Sequence, residues 1–219
     1  MLALTAGVLN SVGFFAVTMY TSHMTGLAAM LADQLVLGDL RLVATAAVGL
    51  GSFIAGAACC ALVFNAARRR GWQSRYAVVL VLEAVLILLI GLLANELDLA
   101  RRLWPLIIVL CFTMGLQNAI ITKISAAQIR TTHVTGMVTD IGIELGKLVY
   151  RSRPRTDPNP VRADLDKLGL LVLLVSAFIL GGVAGAIGYQ VIGFVTLVPM
   201  AMVLLGFAAI PVVDDLRNR

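Results

Sequence analysis

The residues of this chain that could do chemistry are few, and they lie in two copies of one short motif. The first copy is Thr21-Ser22-His23-Met24-Thr25-Gly26 and the second is Thr131-Thr132-His133-Val134-Thr135-Gly136. Each copy contains one of the two histidines of the protein. Histidine can donate, accept or carry a proton near neutral pH, so the pair predicts contact with a polar solute or a proton. A structural role, in which the imidazoles bridge backbone groups, is an equal alternative.

A threonine and a glycine at the start of a helix predict an end that attracts anions. We expect Thr25 and Thr135 to be N-caps, because a threonine hydroxyl accepts hydrogen bonds from the first N–H groups of a helix. Gly26 and Gly136 lack a side chain, so a ligand or another backbone segment can approach closely. Unpaired N–H groups and the helix dipole then favour a negative charge at this place.

The bulk composition predicts that the solvent of this protein is a bilayer. Of the 219 residues, 60% are hydrophobic and 13% are charged, against about half and about a quarter in soluble domains. Backbone groups in lipid must be paired within the segment, and unbroken apolar runs indicate helices rather than strands. The net charge of +5 is concentrated in a few loops, which suits orientation in a membrane better than binding to nucleic acid.

Six segments have the length of a membrane span, and two helical segments are too short. The six are 3–20, 42–66, 76–95, 104–122, 168–188 and 190–212. The short segments 26–38 and 136–149 begin at the two motifs and would be about 20 Å long, against about 30 Å of hydrocarbon. We therefore expect them to be re-entrant. The predicted fold class is an all-α integral membrane protein with a single membrane domain over 1–219.

The order of matching segments indicates an internal duplication, with repeat 1 at about 1–97 and repeat 2 at about 104–213. Upstream of the motifs, Gly7-Val8-Leu9-Asn10 matches Gly115-Leu116-Gln117-Asn118. Downstream, 52–56 resembles 177–181.

The basic loops decide the orientation of the repeats. We expect the loops at 68–75 and 147–167 to be cytoplasmic, which requires two crossings between them and a re-entrant segment at 136–149. Three spans per repeat then invert the second repeat relative to the first, as in many secondary transporters. Both termini are expected to be cytoplasmic.

Three amide side chains lie within predicted spans, where they are costly unless they find partners. They are Asn10, Gln117 and Asn118. Either they line the same cavity as the motifs or they only join helices by hydrogen bonds, and both alternatives stay open.

Two acids are candidates for proton or ion coupling. Glu83 lies deep in the span 76–95, and a neutral or paired structural carboxyl is the alternative. Asp140 shares a helical face with Glu144 and Lys147, which favours a polar face with an internal Glu144–Lys147 pair. The three cysteines and two histidines do not have the spacing of a metal site, and we expect no cofactor. The sequence has no pair of a nucleophile and a base typical of an enzyme, so we do not expect an enzymatic activity.

The second motif and its surroundings are similar to those of a known family. Met114-Gly115-Leu116-Gln117-Asn118-Ala119, the segment 130–136 and Val138-Thr139-Asp140-Ile141-Gly142 resemble the YoaK-like family of bacterial membrane proteins, and the resemblance covers nearly the whole chain. Many members carry Asp where this chain has Asn10, and many lack the histidines, so the chain resembles a His-bearing branch. The resemblance implies a multi-pass protein of the bacterial inner membrane with about six spans and no assigned activity.

These observations lead to the hypothesis of a secondary transporter or channel for a small polar or anionic solute. Its site would lie at the membrane midplane between the two helix starts, with Glu83 as a coupling group. A membrane scaffold or regulatory subunit without a solute path is the alternative, which a packed midplane without a cavity would favour. The expected partners are the solute and the lipid bilayer, with self-association left open and no nucleic acid.

Overall fold

The computed structural model describes residues 1–72, 74–96, 99–124, 134–150 and 161–217. Within these ranges the chain forms eight α-helices and no strand. The helices are α1 (Leu2–Val17), α2 (Met24–Leu37), α3 (Leu40–Arg69), α4 (Arg75–Leu93), α5 (Leu99–Ile124), α6 (Val134–Val149), α7 (Leu165–Ile192) and α8 (Leu197–Arg217). Short 3₁₀ turns, Ala94–Glu96 and Gly193–Thr196, follow α4 and α7. The predicted all-helical class is confirmed.

The long helices are too apolar and too exposed for water. Four stretches of the described chain are long and apolar enough to cross a membrane, namely Leu40–Arg69, Arg75–Leu93, Leu103–Lys123 and Leu165–Pro211. The last stretch contains both α7 and α8. Of its most apolar 18 residues, only 17% are buried by the protein. Since such a surface is unfavourable in water, lipid must cover it. The helix α1 is shorter, at 16 residues.

Two helix ends differ from the boundaries predicted from the sequence. The helix α3 begins at Leu40 because Asp39 caps it, accepting hydrogen bonds from two backbone N–H groups. The boundary predicted between the segments 168–188 and 190–212 lies within a helix, and α7 ends instead before Gly193. This glycine has φ +63°, a conformation that glycine adopts without the steric cost of a Cβ atom.

Helices from the two halves of the chain pair with each other. The helix α1 packs on α7, α3 packs on α5, and α4 packs on α8. At the first crossing Gly7 lies against the carbonyl oxygen of Phe178, and at the second Gly115 lies against that of Phe53. A Cβ atom at either glycine would overlap the oxygen, so these backbones touch because a side chain is absent, as is common between helices in membranes.

Each crossing has a second glycine on the opposite helix. Gly181 on α7 lies against the carbonyl oxygen of Leu4, and Gly56 on α3 lies against that of Phe112. Every one of these four contacts joins a glycine to a main-chain oxygen, which leaves no freedom for a larger residue. The crossings therefore form a rigid frame.

The two short helices lie on this frame with little burial of their own. The main apolar core lies among α1, α4, α5 and α8, and includes the fully buried Leu9, Ile87 and Leu110. In contrast, Leu27 is the buried residue of α2. The helix α2 packs on α3 and α6 packs on α7. The position of α2 is therefore set largely by the turn that precedes it, and that of α6 by polar contacts with α7 and its N-cap.

Candidate functional site

A cavity of about 900 Å³ lies where the first turns of α2 and α6 meet the long helices. Five residues predicted from the sequence line it, namely Asn10, His23, Thr25, Asn118 and Thr135. They come from α1, α2, α5 and α6, so both halves of the chain contribute. Apart from the histidine, the described lining contains no ionisable aspartate, glutamate, lysine or arginine.

The start of α2 differs from the prediction. The helix begins at Met24, so His23 is the N-cap, and the N–H of Leu27 donates to the His23 carbonyl at 3.0 Å. The predicted capping role of Thr25 is wrong, because the backbone is already helical there and the threonine is the second residue of the helix. No side chain caps this end, and neither the Thr25 nor the Gly26 N–H has an acceptor among the described residues.

The start of α6 leads to the same correction. The helix includes Val134, so Thr135 lies inside its first turn and is not the predicted N-cap. The Thr135 carbonyl instead accepts a hydrogen bond from Oγ1 of Thr139 at 2.8 Å. Gly136 is half-buried and is not among the described lining residues. The second histidine, His133, lies outside the described residues.

Gly26 provides the space that the imidazole of His23 occupies. A Cβ atom at position 26 would overlap Cδ2 of the histidine and would lie 2.6 Å from its Nε2. The ring therefore lies over the first turn of its own helix, and any larger residue at this position must displace it. This contact explains why the motif has a glycine three residues after the histidine.

Asn10 holds the turn that precedes α2. Its Oδ1 accepts a hydrogen bond from the Ser22 hydroxyl at 2.8 Å and another from the Ser22 N–H at 3.3 Å. Both residues also line the cavity. Of the two roles considered for this amide, the structure shows the lining of a cavity, and its hydrogen bonds join α1 to the turn before α2 rather than to another helix.

The two amides of α5 face different surroundings. Asn118 lines the cavity, and its Nδ2 donates to the Met114 carbonyl at 2.8 Å. Gln117 is fully buried and does not line the cavity, with its Nε2 lying 3.5 Å from the carbonyl oxygen of Leu2. Consecutive residues on a helix are rotated by about 100°, so the neighbours point in different directions.

Neither acid considered for coupling lies at the cavity. Glu83 is fully buried on α4, beside the side chain of Gln117. Asp140 forms an ion pair with Lys167 on α7, with 3.1 Å between Oδ2 and Nζ. The structure therefore groups the motif residues with the asparagines, and leaves the two acids in separate places.

The expected ion pair on α6 forms, and it also anchors the helix. Nζ of Lys147 lies 2.8 Å from Oε1 of Glu144, and the N–H of Asp164 donates to Oε2 at 2.9 Å. The lysine and then the backbone N–H lower the pKa of Glu144 below its ordinary value. Asp164 is the N-cap of α7, so this carboxylate joins α6 to the start of the next helix.

Sequence reasoning missed the aromatic part of the lining. Phe53 on α3 and Phe178 on α7 face the cavity, as does Tyr20, whose ring stacks on Phe14 with centroids 4.7 Å apart. The matching segments 52–56 and 177–181 contain both phenylalanines, but an aromatic residue within an apolar run does not by itself indicate a cavity. Phe53 precedes Gly56 by three residues, and Phe178 precedes Gly181 by the same number. This repeated spacing was the signal that could have placed both rings at the cavity.

Comparison with known proteins supports a membrane protein and does not supply an activity. The model of a family described as "Protein of unknown function (DUF1275)" matches residues 1–210. The chain is 26% identical over 161 residues to the "UPF0700 transmembrane protein YoaK" of Bacillus subtilis (strain 168), which covers 71% of this chain and 70% of that protein. No solved structure matches. The resemblance found in the motifs is confirmed.

Proposed function

Since this chain belongs to the DUF1275 family, whose description assigns no function, we propose an activity from its own geometry: transport of a small polar or anionic solute, as a secondary transporter or a channel. The observation that carries the proposal is the cavity of about 900 Å³ between the first turns of α2 and α6. Sites for small molecules are commonly clefts of about this size, with a few convergent polar groups. A scaffold without a solute path gives no reason for such a cavity between the two motifs.

The chemistry of the lining favours a small anion or a neutral polar molecule. The first turns of two helices contribute Thr25 and Thr135, and helix N-termini favour negative charge because their N–H groups are unpaired. His23 adds a group that can donate a hydrogen bond or carry a proton. Phe53 and Phe178 offer apolar surface for the uncharged part of the solute. His133 and Gly136 are included in this proposal through their positions in the second motif.

We further infer six crossings arranged as two inverted repeats, with α2 and α6 re-entrant. With 14 residues, α2 is about 21 Å long, short of about 30 Å of hydrocarbon. The helix α6 has 16 residues, as α1 does, but unlike α1 it carries Asp140, Glu144 and Lys147, which are costly in a lipid-facing span. The glycine contacts support the repeats, because Gly7 on Phe178 becomes Gly115 on Phe53 when the halves are exchanged. Inverted repeats with interrupted helices and a site near the midplane are a recurring plan of secondary transporters.

The proposal also includes a location and an orientation. The protein lies in the inner membrane of a bacterium, with both termini and the basic loops at 68–75 and 147–167 in the cytoplasm. Its partners are the solute and the surrounding lipid, and it carries out no enzymatic step. The lining residues Asn118 and Thr122 lie one turn apart on α5, so the cavity extends toward the end of α5 that carries Lys123.

Two neighbouring alanines on α3 give a matched test. Ala57 lines the cavity, whereas Ala58 is exposed on another face. Purified protein is screened for thermal stabilisation by small anions and polar solutes, and the flux of each stabilising compound is then measured in proteoliposomes. We expect Ala57→Phe to abolish both signals and Ala58→Phe to leave them unchanged. Equal behaviour of the two variants contradicts the proposal, as does unchanged flux in a His23→Ala, His133→Ala double variant.

A further inference from the structure

Glu83 is a buried carboxyl that does not line the cavity and has no part in the proposed solute site. It lies eight residues after the start of α4, or about 12 Å along the helix, within an apolar stretch suited to cross a membrane. Its relative exposure is 0%. Neither of its carboxyl oxygens has a hydrogen-bond partner among the described residues.

The side chain of Gln117 likewise has a buried oxygen without a partner in the described chain. The side chain of Gln117 lies beside Glu83, and its own Oε1 is buried with no partner in the described chain. The Gln117 amide nitrogen lies 3.5 Å from the Leu2 carbonyl oxygen. Three buried acceptor oxygens without a described partner therefore lie close together, beside the amide group of Gln117.

The helices packed around Glu83 bring no cation to it. From α3 the thiols of Cys59 and Cys60 are the titratable groups of this region. Lys123 of α5, which acts on Cys60, has its Nζ over the ring of Phe64, at 4.9 Å from the centroid. The described charged side chains of α8, Asp215 and Arg217, lie at its C-terminal end. No described lysine or arginine forms an ion pair with Glu83.

A bound proton would give the unpaired oxygens of Glu83 and Gln117 hydrogen-bond partners, whereas a hard metal ion would find too few ligands here. A carboxylate without a partner is strongly unfavourable in an apolar interior. A proton turns one carboxyl oxygen into a donor suited to the Gln117 carbonyl, while the other oxygen can accept from the Gln117 amide. Hard metal cations require about six oxygen ligands, more than Glu83, Gln117 and the Leu2 carbonyl supply.

We propose that Glu83 and Gln117 form a proton-binding site within the membrane, and that this site is coupled through α5 to the solute in the cavity. The coupling rests on the proposed function, whereas the proton site does not. Gln117 lies beside the carboxyl, and the next residue, Asn118, lines the cavity. A solute that displaces Asn118 must also move Gln117, which changes the hydrogen bonding available to Glu83.

The proton site is tested by infrared spectroscopy on the full chain in vesicles of phosphatidylethanolamine and phosphatidylglycerol. A protonated carboxyl gives a C=O band that an ionised one lacks. We expect this band near neutral pH in the wild type and in Glu144→Gln, and we expect it to be absent in Glu83→Gln. In Gln117→Leu the band should remain but change frequency, because its amide partner is lost. A band that is missing from the wild type, or that persists in a monodisperse Glu83→Gln protein, overturns the site.

The coupling is tested by the pH at which the band disappears. We expect Asn118→Ala to change the proton affinity by roughly 2- to 30-fold, the range found for residues that couple sites. Thr45→Ala, at a half-buried position of α3 outside the cavity lining, should leave it unchanged. Equal affinities in Asn118→Ala and the wild type overturn the coupling while the proton site stands. If no solute binds or crosses, the proposed function fails and the infrared band is unaffected, so the two failures are distinguishable.

Discussion

The side-chain carbonyl oxygen of Asn10 accepts both the hydroxyl and the backbone N–H of Ser22, at 2.8 and 3.3 Å. The two residues are 12 positions apart, so these bonds tie the turn before α2 to the middle of α1. Because α1 is itself fixed against α7 by glycine contacts, the start of α2 is held by the frame rather than by its own burial. This acceptor therefore helps to set the direction in which α2 presents its first N–H groups.

We expect Asn10→Asp to retain this turn and Asn10→Leu to release it. A carboxylate oxygen accepts the same two hydrogen bonds, whereas leucine removes both from the half-buried Ser22, at about 0.5–1.5 kcal/mol for each bond. The measurement is the labelling rate of a Thr25→Cys reporter in protein whose native cysteines are replaced. Labelling should be several-fold faster with Asn10→Leu and unchanged with Asn10→Asp. Equal rates in both variants would show that the turn does not depend on this acceptor.

A methyl group at position 26 should separate folding from solute binding. In Gly26→Ala the new Cβ atom displaces the His23 ring, while alanine favours the helix by about 0.5–1 kcal/mol over glycine. We therefore expect unchanged or higher thermal stability together with loss of stabilisation by solutes. Gly142→Ala on α6 is the control, because nothing lies within 4 Å of its added Cβ atom. The prediction fails if both variants respond equally to solutes.

The sequence was sufficient for the helices and insufficient for the direction of their side chains. The apolar runs and their lengths follow from composition, and the motifs were correctly placed at helix starts. The N-cap was wrong because capping depends on where the first backbone bond forms, and the bond from Leu27 to His23 begins the helix two residues before Thr25. A threonine in the second position looks the same in the sequence as one in the cap.

The amides of α5 illustrate a second limit. Gln117 and Asn118 are adjacent and equally polar, so the sequence could not tell which one faces the cavity. The choice depends on the rotation of α5, and the contact of Gly115 with the Phe53 carbonyl fixes that rotation. Such a contact joins distant segments, and it is visible in the sequence only as a glycine in an apolar run. Sites formed by helix rotation therefore need the packed structure.

The frame itself is testable with two glycines of α3. Gly56 lies against the Phe112 carbonyl oxygen, whereas Gly51 has nothing within 4 Å of an added Cβ atom. Overpacking of a rigid contact costs about 1–3 kcal/mol, so Gly56→Ala should lower the unfolding temperature in detergent and Gly51→Ala should not. A similar loss is expected for Gly181→Ala at the other crossing. Equal stability of the α3 variants would mean that the helices separate without cost.

Acid should loosen the contact of α6 with α7. The Lys147 side chain and the Asp164 N–H lower the pKa of Glu144, so its ionised form is the one that stabilises the folded protein. This contribution to the free energy of unfolding is complete above the ordinary pKa of glutamate. It is lost as the pH falls through the lower pKa that Glu144 has in the folded protein. We expect Glu144→Gln to be less stable than the wild type at neutral pH, and the difference to vanish in acid. A difference that does not depend on pH would show that the carboxylate is not the anchoring group.

The orientation of the repeats can be decided with one exposed cysteine in each basic loop. Arg69→Cys and Arg162→Cys are both at exposed positions, and they are introduced separately into protein without native cysteines. If α4 and α5 cross the membrane and α6 does not, two crossings separate the positions. Both cysteines should then be shielded from an impermeant thiol reagent in intact cells and should react once the membrane is opened. If only one is shielded, α6 crosses as well, the halves run parallel, and the two motifs cannot enter the cavity from opposite sides. The cavity would remain, but the inverted-repeat transporter would no longer be supported.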